Sequence, residues 1–239
     1  MDTAPQVLNR STPLRSPWVR AADATVAALH WGQEREVAAV LTRAFADDPL
    51  VNAICDTSAS QRPGQMLWSF RMAVRTHCLS PQPAWTIADA RAGLVGVVMI
   101  SRPGMTLNAT PDTLFVLRGL LHVGPRAALR GMRAGQTIAA HAPPGPFTYL
   151  RTLGIDPSFH GRGFGSRLIK QALSAAPTAW PVYLETAKEK NLSFYARHGL
   201  RCIGEFECLG VRVWRLLRPP LPHPLAVDGH AASVRHSEY

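Results

Sequence analysis

The sequence has 239 residues and a formal net charge of +10, because 26 basic residues outnumber 16 acidic ones. Hydrophobic residues make up 46% of the chain, which excludes a wholly disordered protein because enough apolar surface is present to form a core. The longest apolar run, residues 92–100, is far shorter than the roughly 18–20 residues that span a bilayer. No secretory signal is predicted either, so we expect a soluble cytoplasmic protein without a membrane partner.

The positive charge indicates an anionic partner without specifying which one. It is carried mainly by arginine, since only Lys170, Lys188 and Lys190 are lysines. A basic balance of this kind suits nucleic acid, an anionic membrane surface or a phosphate-bearing small molecule. Codon bias would produce the same composition, so all of these explanations stay open at this stage.

The four cysteines predict neither a metal site nor a disulfide framework. They form no Cys-x-x-Cys pair and lack the spacing of a zinc site. Cys202 and Cys208 fall within predicted strands, where a small buried apolar side chain is the usual role of cysteine.

The first half of the chain predicts helices around a few antiparallel strands. Residues 1–22 lack apolar periodicity and predict a mobile leader, so one domain is expected over residues 23–218. Apolar residues at helical spacing indicate the helices, and short runs of strand-forming residues indicate a first strand and a hairpin. Asp47-Asp48-Pro49 ends the first helix, because the residue before proline disfavours helical geometry. In chain order these elements are a strand at 24–30, helices at 33–46 and 62–78, strands at 85–88 and 94–101, and helices at 113–122 and 126–140.

The second half of the chain alternates strands and helices before a proline-rich tail at 219–239. The whole order predicts an α/β domain with one central mixed, mostly antiparallel sheet flanked by helices. The predicted elements are a strand at 147–155, a helix at 165–175, a strand at 182–186, a helix at 192–198, and strands at 200–208 and 211–217.

Three alternate glycines connect the strand at 147–155 to the following helix: Gly161, Gly163 and Gly165. Glycine leaves backbone N–H groups uncovered, and a helix N-terminus adds partial positive charge, so the segment predicts a pyrophosphate site. Arg162 and Arg167 would add charge at its rim. A Walker loop would need Gly-Lys-Ser/Thr, and a dinucleotide fingerprint would need glycine where Ser166 stands. A flexible turn is the alternative interpretation of the glycines taken alone.

This loop and the segments after it resemble the GCN5-related N-acetyltransferase (GNAT) family. The family pattern Arg/Gln-x-x-Gly-x-Gly/Ala is matched by residues 160–165, with His160 as a departure at the first position. The lead-in Ile155-Asp156-Pro157 matches as well. The further matches are Asn191, Tyr195, Gly199 and Leu200.

Within that family the sequence is most similar to the puromycin N-acetyltransferase branch. This similarity rests on residues 45–49 near the end of the first helix, on the Leu-Glu-Thr strand at 184–186, and on the Asn-Leu-x-Phe-Tyr segment at 191–195. The strong matches to the family cover roughly residues 148–200.

The resemblance implies acetyl-CoA as cosubstrate, bound between two splayed parallel strands at 147–155 and 182–186. Pantetheine would hydrogen-bond the backbone of Leu153, Gly154 and Ile155 as an added strand, and an N–H near Leu153 would polarise the thioester carbonyl. The pyrophosphate would lie on the loop N–H groups of Gly161, Arg162, Gly163, Phe164, Gly165 and Ser166.

The resemblance also implies direct attack by a primary amine on the thioester, with Tyr195 as the general acid for the departing thiolate. Reference pKa values of about 10 for tyrosine and 8.5 for a thiol make full transfer uphill, so donation within the transition state or through water is expected. Asn191 would contact pantetheine or a bridging water, or would instead cap the helix at 192–198.

Carboxylates near the predicted cleft are candidates for the amine side of the reaction. Glu185 is the candidate general base, although strand alternation would equally aim it at solvent or at an arginine. Asp47 and Asp48 would attract a cationic amine, or serve only as turn residues.

Other functions remain open alongside acetyl transfer to a small-molecule amine. The acceptor could be a protein or peptide amine, and a CoA-binding regulatory module without catalysis is a further alternative. The clustered Arg118, Arg126, Arg130 and Arg133 suggest nucleic-acid binding, although no reading motif accompanies them. A monomer and a homodimer are both compatible with the sequence.

One further apolar group has the spacing of core residues or of a cap over the acceptor cleft: Leu114, Phe115, Leu117, Leu120 and Leu121.

Overall fold

The computed structural model describes residues 24–55, 60–80, 82–104 and 113–221, and of residues 113–116 only the backbone. The predicted leader and all but the first three residues of the predicted tail lie outside these ranges. None of the helices in the described part is long and apolar enough to cross a membrane. The elements, in chain order, are β1 (Ala24–Ala28), α1 (Glu34–Ala44), α2 (Pro49–Cys55), α3 (Arg62–Leu79), β2 (Ala84–Asp89), β3 (Gly93–Ser101), α4 (Thr113–Val123), α5 (Pro125–Ala140), β4 (Thr148–Ile155), α6 (Phe164–Ala175), β5 (Val182–Thr186), α7 (Asn191–Ala196), β6 (Arg201–Cys208) and β7 (Val211–Arg218).

The strands form one seven-stranded sheet in the order β1-β2-β3-β4-β5-β7-β6. Every neighbouring pair is antiparallel except β4 and β5, which run parallel. The predicted α/β fold with a mixed, mostly antiparallel sheet is therefore confirmed.

The parallel strands β4 and β5 pair at only two positions and then separate. Thr148 lies opposite Val182 and Tyr149 opposite Tyr183, with no pairing beyond them. On its other edge β4 stays paired with β3 as far as Ile155, except that a bulge leaves Arg151 without a partner. Because a bulge bends and twists a strand, it fits the divergence of β4 from β5. The result is a V-shaped cleft in which the backbone of β4 has a free edge.

Helices cover both faces of the sheet because β3 is apolar on both sides, as expected of a strand buried on both faces. Its Val98 packs in the cluster under α6, whereas its neighbour Val97 packs in the cluster under α1 and α3. Helix α1 approaches β4 so closely that a Cβ on Gly154 would lie 2.7 Å from Cδ2 of Leu41. The absence of a side chain at Gly154 is thus what lets α1 pack against the strand that borders the cleft.

A helix that was not predicted, α2, starts where the first helix was expected to stop. Asp48 accepts hydrogen bonds from the N–H groups of Leu50 and Val51, at 3.1 and 3.0 Å, and Pro49 is the first helical residue. Proline is well suited to that first position because its missing N–H would have no acceptor there. The turn role of Asp48 is confirmed, and the same aspartate also begins a new helix.

Two expectations about apolar side chains were wrong. Leu117, Leu120 and Leu121 are 57%, 47% and 80% exposed, so they are not core residues. They also border neither of the two cavities described below, so they do not form a cap over the cleft. The side chains of Leu114 and Phe115 lie outside the described part. Cys208 is buried as predicted, in a cluster with Ala134 of α5, whereas Cys202, at the opposite end of the same strand β6, lies outside that cluster and is exposed.

Candidate active site

A cavity of about 430 Å³ lies in the cleft between β4 and α7. It is bordered by nine of the ten residues that the sequence assigns to the cosubstrate and by Tyr195. These residues are Leu153, Gly154, Ile155, Gly161, Gly163, Phe164, Gly165, Ser166 and Asn191. The splay of β4 away from β5 explains why strand residues and loop residues reach one cavity.

The glycine loop has the backbone geometry of an anion site. Gly161 and Gly163 have positive φ angles of 75° and 80°, which only glycine adopts without strain. Gly163 is the N-cap of α6, and its carbonyl oxygen accepts the first intrahelical bond, from the N–H of Arg167 at 3.1 Å. The N–H groups of the first helical turn therefore have no acceptor inside the helix. Free donors and the positive end of a twelve-residue helix fit a pyrophosphate.

Two side chains brace this loop against the rest of the fold. Asp156 accepts a hydrogen bond from the N–H of Ser158 at 3.0 Å and forms an ion pair with Nε of Arg43 at 2.5 Å. Burial alone would raise the pKa of Asp156, but these two partners outweigh burial and hold the pKa below its ordinary value. His160, the departure from the family pattern, places Nε2 3.1 Å from the carbonyl oxygen of Ile155. Its imidazole therefore links the loop to the last residue of β4.

The two arginines of the predicted basic rim contact other groups and do not themselves border the cavity. Arg167 donates to the carbonyl oxygen of Ala24 at 2.6 Å, and the guanidinium of Arg162 stacks on the ring of Phe159 at 4.6 Å. Neither arginine borders the cavity, so Arg162 is the one assigned cosubstrate residue that the structure places outside it.

The cations that do border the cavity are Lys188, Lys190 and Arg197. Sequence reasoning missed them, although two of the chain's three lysines stand just before Asn191, which was a usable signal. Both lysines pair with Asp47, and the pairing, chiefly with Lys188, lowers the pKa of that aspartate.

Asn191 borders the cavity and does not cap its helix. The N-cap of α7 is Lys190, and Asn191 is the first helical residue. Its Nδ2 donates to Oγ1 of Thr186 at 3.1 Å. The capping alternative is therefore wrong: the side chain links α7 to the end of β5.

A second cavity, of about 180 Å³, adjoins the first on the side of α2 and α5. Five residues border both cavities, which places them at the junction: Phe45, Asp48, Leu153, Asn191 and Tyr195. Tyr195 is 7% exposed. Burial, and secondarily the charge of Asp48, raises the pKa of Tyr195 above its ordinary value, so the phenol is a weaker acid than a free tyrosine.

Glu185 borders the second cavity, so the expectation that alternation would turn it to solvent is wrong. Its Oε2 accepts a hydrogen bond from the hydroxyl of Tyr149 at 2.7 Å, so its partner is a tyrosine and not an arginine. Oε1 is buried and has no hydrogen-bond partner among the described residues. Burial raises the pKa of Glu185, although the bond from Tyr149 acts in the opposite direction. A carboxylate with a raised pKa is better matched to accepting a proton near neutrality.

A splayed sheet with an anion loop on one side and a carboxylate-bordered cavity on the other fits an acyltransferase that uses a phosphate-bearing acyl donor. The model of the Acetyltransferase (GNAT) family matches residues 68–200, more than half of the chain. The chain belongs to this family, whose cosubstrate is acetyl-CoA.

One curated relative agrees with the assignment to the GNAT family. The sequence is 35% identical over 83 residues to the N-alpha-acetyltransferase RimI of Mycobacterium tuberculosis, a match that covers 31% of this chain and 52% of that protein. The chain thus spans about half the length of this curated relative.

Solved structures share the fold at low sequence identity. One of them is described as histone acetyltransferase HPA2 and related acetyltransferase, from Corynebacterium glutamicum. It superposes with a TM-score of 0.66 at 20% identity, and the match covers 85% of this chain and 99% of that one. Arylalkylamine N-acetyltransferase 2 from Aedes aegypti superposes with a TM-score of 0.54 at 13% identity, covering 83% and 100%.

Proposed function

We propose that this protein transfers the acetyl group of acetyl-CoA directly to a primary amine of a small molecule. The observation that carries the proposal is the meeting of two cavities at Tyr195, one beside an anion loop and the other beside the partly buried carboxylate of Glu185. An acyl donor in the first cavity and an amine in the second would face each other at this junction.

The first cavity suits the acyl donor through backbone groups. Acetyl-CoA supplies an acetyl group already activated as a thioester. The free edge of β4 at Leu153, Gly154 and Ile155 would pair with the pantetheine amides as an added strand. The glycine loop would hold the pyrophosphate, and the lysines beside it would add charge. An N–H near Leu153 would hold the thioester carbonyl oxygen.

Tyr195 is the general acid in this proposal. Its phenol is protonated at neutral pH, as that of an ordinary tyrosine is, and it stands where the two cavities join. Because burial raises its pKa further, transfer to a free thiolate would be uphill. It would donate its proton as negative charge develops on the leaving sulfur. No cysteine borders either cavity, which is in keeping with direct attack and no acyl-enzyme.

Glu185 is the general base. It borders the amine cavity, and burial brings its pKa closer to neutrality. Asp48 adds a second carboxylate at the junction, so the cavity favours an amine that arrives as a cation.

A small acceptor is favoured by the size and lining of the second cavity. Its volume is about 180 Å³, and its walls include the apolar side chains of Leu50, Val51, Ile138 and Val213. The residues shared with the puromycin N-acetyltransferase branch, at 45–49, 184–186 and 191–195, contribute to these walls, and we include that branch in the proposal. A peptide amine is the second candidate, favoured by the partial match to RimI.

The test is acetyl-CoA-dependent release of free thiol with a panel of amines. The panel contains puromycin, spermidine, an arylalkylamine and a short peptide with a free N-terminus, and acetyl-CoA affinity is measured separately by calorimetry. We expect release with at least one small amine and little with the peptide. Preferred turnover of the peptide would overturn the small-molecule proposal. Tight acetyl-CoA binding without turnover of any amine would instead support a regulatory CoA-binding module, and salt-sensitive DNA binding alone would favour the arginine-cluster alternative.

A further inference from the structure

We propose that Tyr149 is a positioning residue that holds Glu185 so that its carboxylate binds the ammonium group of a cationic acceptor. This inference rests on the proposed function, because it names the group that receives the acceptor in the same site. It adds a residue outside every motif that carried the family resemblance, and it specifies the chemical class of the acceptor.

The position of Tyr149 follows from where the parallel strands separate. Tyr149 and Tyr183 are the last residues paired between β4 and β5, and their rings stack with centroids 6.1 Å apart. Glu185 lies two residues further along β5 on the same face, since side chains alternate along a strand. The strands have diverged at that level, so the hydroxyl of Tyr149 can reach across the base of the cleft to Oε2.

The two oxygens of Glu185 are therefore unequal. Oε2 is fixed by Tyr149 at 2.7 Å, whereas Oε1 is buried without a hydrogen-bond partner among the described residues. A buried carboxylate oxygen without a donor is costly unless a ligand supplies one. Glu185 borders the amine cavity, and an ammonium group offers three donors and the opposite charge. A neutral amine would supply hydrogen-bond donors to the carboxylate but would not neutralise its negative charge.

The groups that face Glu185 leave that charge available. On β4 they are Tyr149 and Arg151, and on β5 it is Tyr183. The two tyrosine hydroxyls and the positive charge of Arg151 all favour the charged form of Glu185, and the hydroxyl of Tyr183 also lies 3.5 Å from the carbonyl oxygen of His141. On β7 Arg215 pairs with Glu185 in register, but its Nη1 donates to the same carbonyl oxygen of His141 at 3.0 Å. Asp48 borders the cavity from the start of α2 and strengthens the preference for a cation.

The proton balance of the step is complete with these residues. The ammonium gives one proton to the carboxylate of Glu185, and the neutral nitrogen then forms the C–N bond as the C–S bond of the thioester breaks. The thiolate takes the proton of Tyr195, and the second proton of the attacking nitrogen returns to Tyr195 through solvent. Glu185 releases its proton to solvent, so one proton leaves for each acetyl group transferred.

The experiment compares Tyr149→Phe, Glu185→Gln and the double variant, because phenylalanine keeps the stacking on Tyr183 and removes only the hydroxyl. We expect Tyr149→Phe to lower kcat/KM for the amine by about tenfold, the usual size of a lost hydrogen bond to a charged group. The acidic limb of the pH profile should move to higher pH, since the lost bond stabilised the carboxylate. Acetyl-CoA affinity should stay unchanged. In the Glu185→Gln background, Tyr149→Phe should have little further effect.

A readout without an acceptor keeps the test independent of the proposed function. In protein labelled with ¹³C at glutamate carboxyl carbons, the Glu185 signal is assigned by its loss in Glu185→Gln, and its pKa should rise in Tyr149→Phe. An unchanged Glu185 pKa would overturn the positioning role even if the enzyme is active. Equal losses from Tyr149→Phe with and without Glu185 would overturn it too. Failure of every amine to react, with the expected pKa change intact, would count against the proposed function only.

Discussion

Arg43 and Asp156, 113 positions apart in the chain, form an ion pair between Nε and Oδ2 at 2.5 Å. The pair joins the last turn of α1 to the residue that links β4 to the glycine loop. Asp156 also accepts the N–H of Ser158, so a single carboxylate holds the loop to the strand and to the first helix. Its position explains why an aspartate stands before Pro157, where any turn residue would otherwise suffice.

Replacement of Asp156 by Asn is expected to weaken acetyl-CoA binding and to reduce stability in a pH-dependent way. The pKa of Asp156 is lower in the folded protein than its ordinary value of 3.8, so the carboxylate stabilises the fold above that value. This contribution is lost as the pH falls from about 3.8 through the lower folded pKa. Urea unfolding at several pH values should show a stability difference between the two proteins at neutral pH that shrinks in this acidic range. A constant difference would contradict the ion-pair explanation.

Gly163→Ala is expected to strain the loop by about 1–2 kcal/mol, because a φ of 80° is left-handed. Acetyl-CoA affinity should fall as the N–H groups shift. The matched control is Gly135→Ala in α5, where a Cβ meets nothing within 4 Å and φ is not positive. That variant should gain up to about 1 kcal/mol of helix stability and leave affinity unchanged. Equal behaviour of the two variants in urea unfolding and calorimetry would refute the role of Gly163.

Lys188→Gln is expected to weaken acetyl-CoA binding about fivefold, or about 1 kcal/mol, because a cation bordering the first cavity is removed. The loss should diminish at high salt, which screens charge. Lys170→Gln serves as the control, since Lys170 is exposed on α6 and does not border the cavity. Calorimetric titration at two salt concentrations measures both effects. A similar loss from Lys170→Gln would point to net charge and not to the site.

Tyr195→Phe is expected to lower kcat by about 10²–10⁴-fold, the usual range for a general acid, while acetyl-CoA affinity changes little. The residue is buried at the junction of the cavities, and phenylalanine fills nearly the same space. Single-turnover measurements would separate the chemical step from product release. Retention of the full chemical rate would exclude Tyr195 as the proton donor.

Much of the fold was predictable because local patterns decide it. The spacing of Val37, Val40 and Leu41 predicted α1, and the glycines predicted the turn into α6. Helix α2 was missed since Asp48 and Pro49 are equally good residues for ending one helix and for starting the next. The exposure of Leu117 and Leu121 was missed because helical spacing indicates an apolar face but not whether another element covers it.

In the candidate site, too, local features could be predicted from the sequence, whereas features that depend on tertiary packing could not. Backbone-based features, such as Gly161, Gly163 and the β4 edge at Leu153, follow from motifs, since glycine and strand geometry are local properties. Side-chain roles do not: Arg162 and Arg167 were expected at the cavity, whereas Lys188 and Lys190 border it. A long side chain adjacent to a site in sequence can reach a different partner, such as the carbonyl oxygen that Arg167 contacts on β1.

The composition and the net charge of +10 excluded disorder and indicated an anionic partner, and the glycine loop made a pyrophosphate the most specific one. These properties are local in the chain, so the sequence by itself determined them, together with the order of strands and helices. Only the tertiary structure decided that Tyr149 donates to Glu185, because the two residues lie 36 positions apart and meet where two strands diverge. It likewise decided that Asp48, Asn191 and Tyr195 border two cavities at once. Contacts of this kind depend on how distant elements pack.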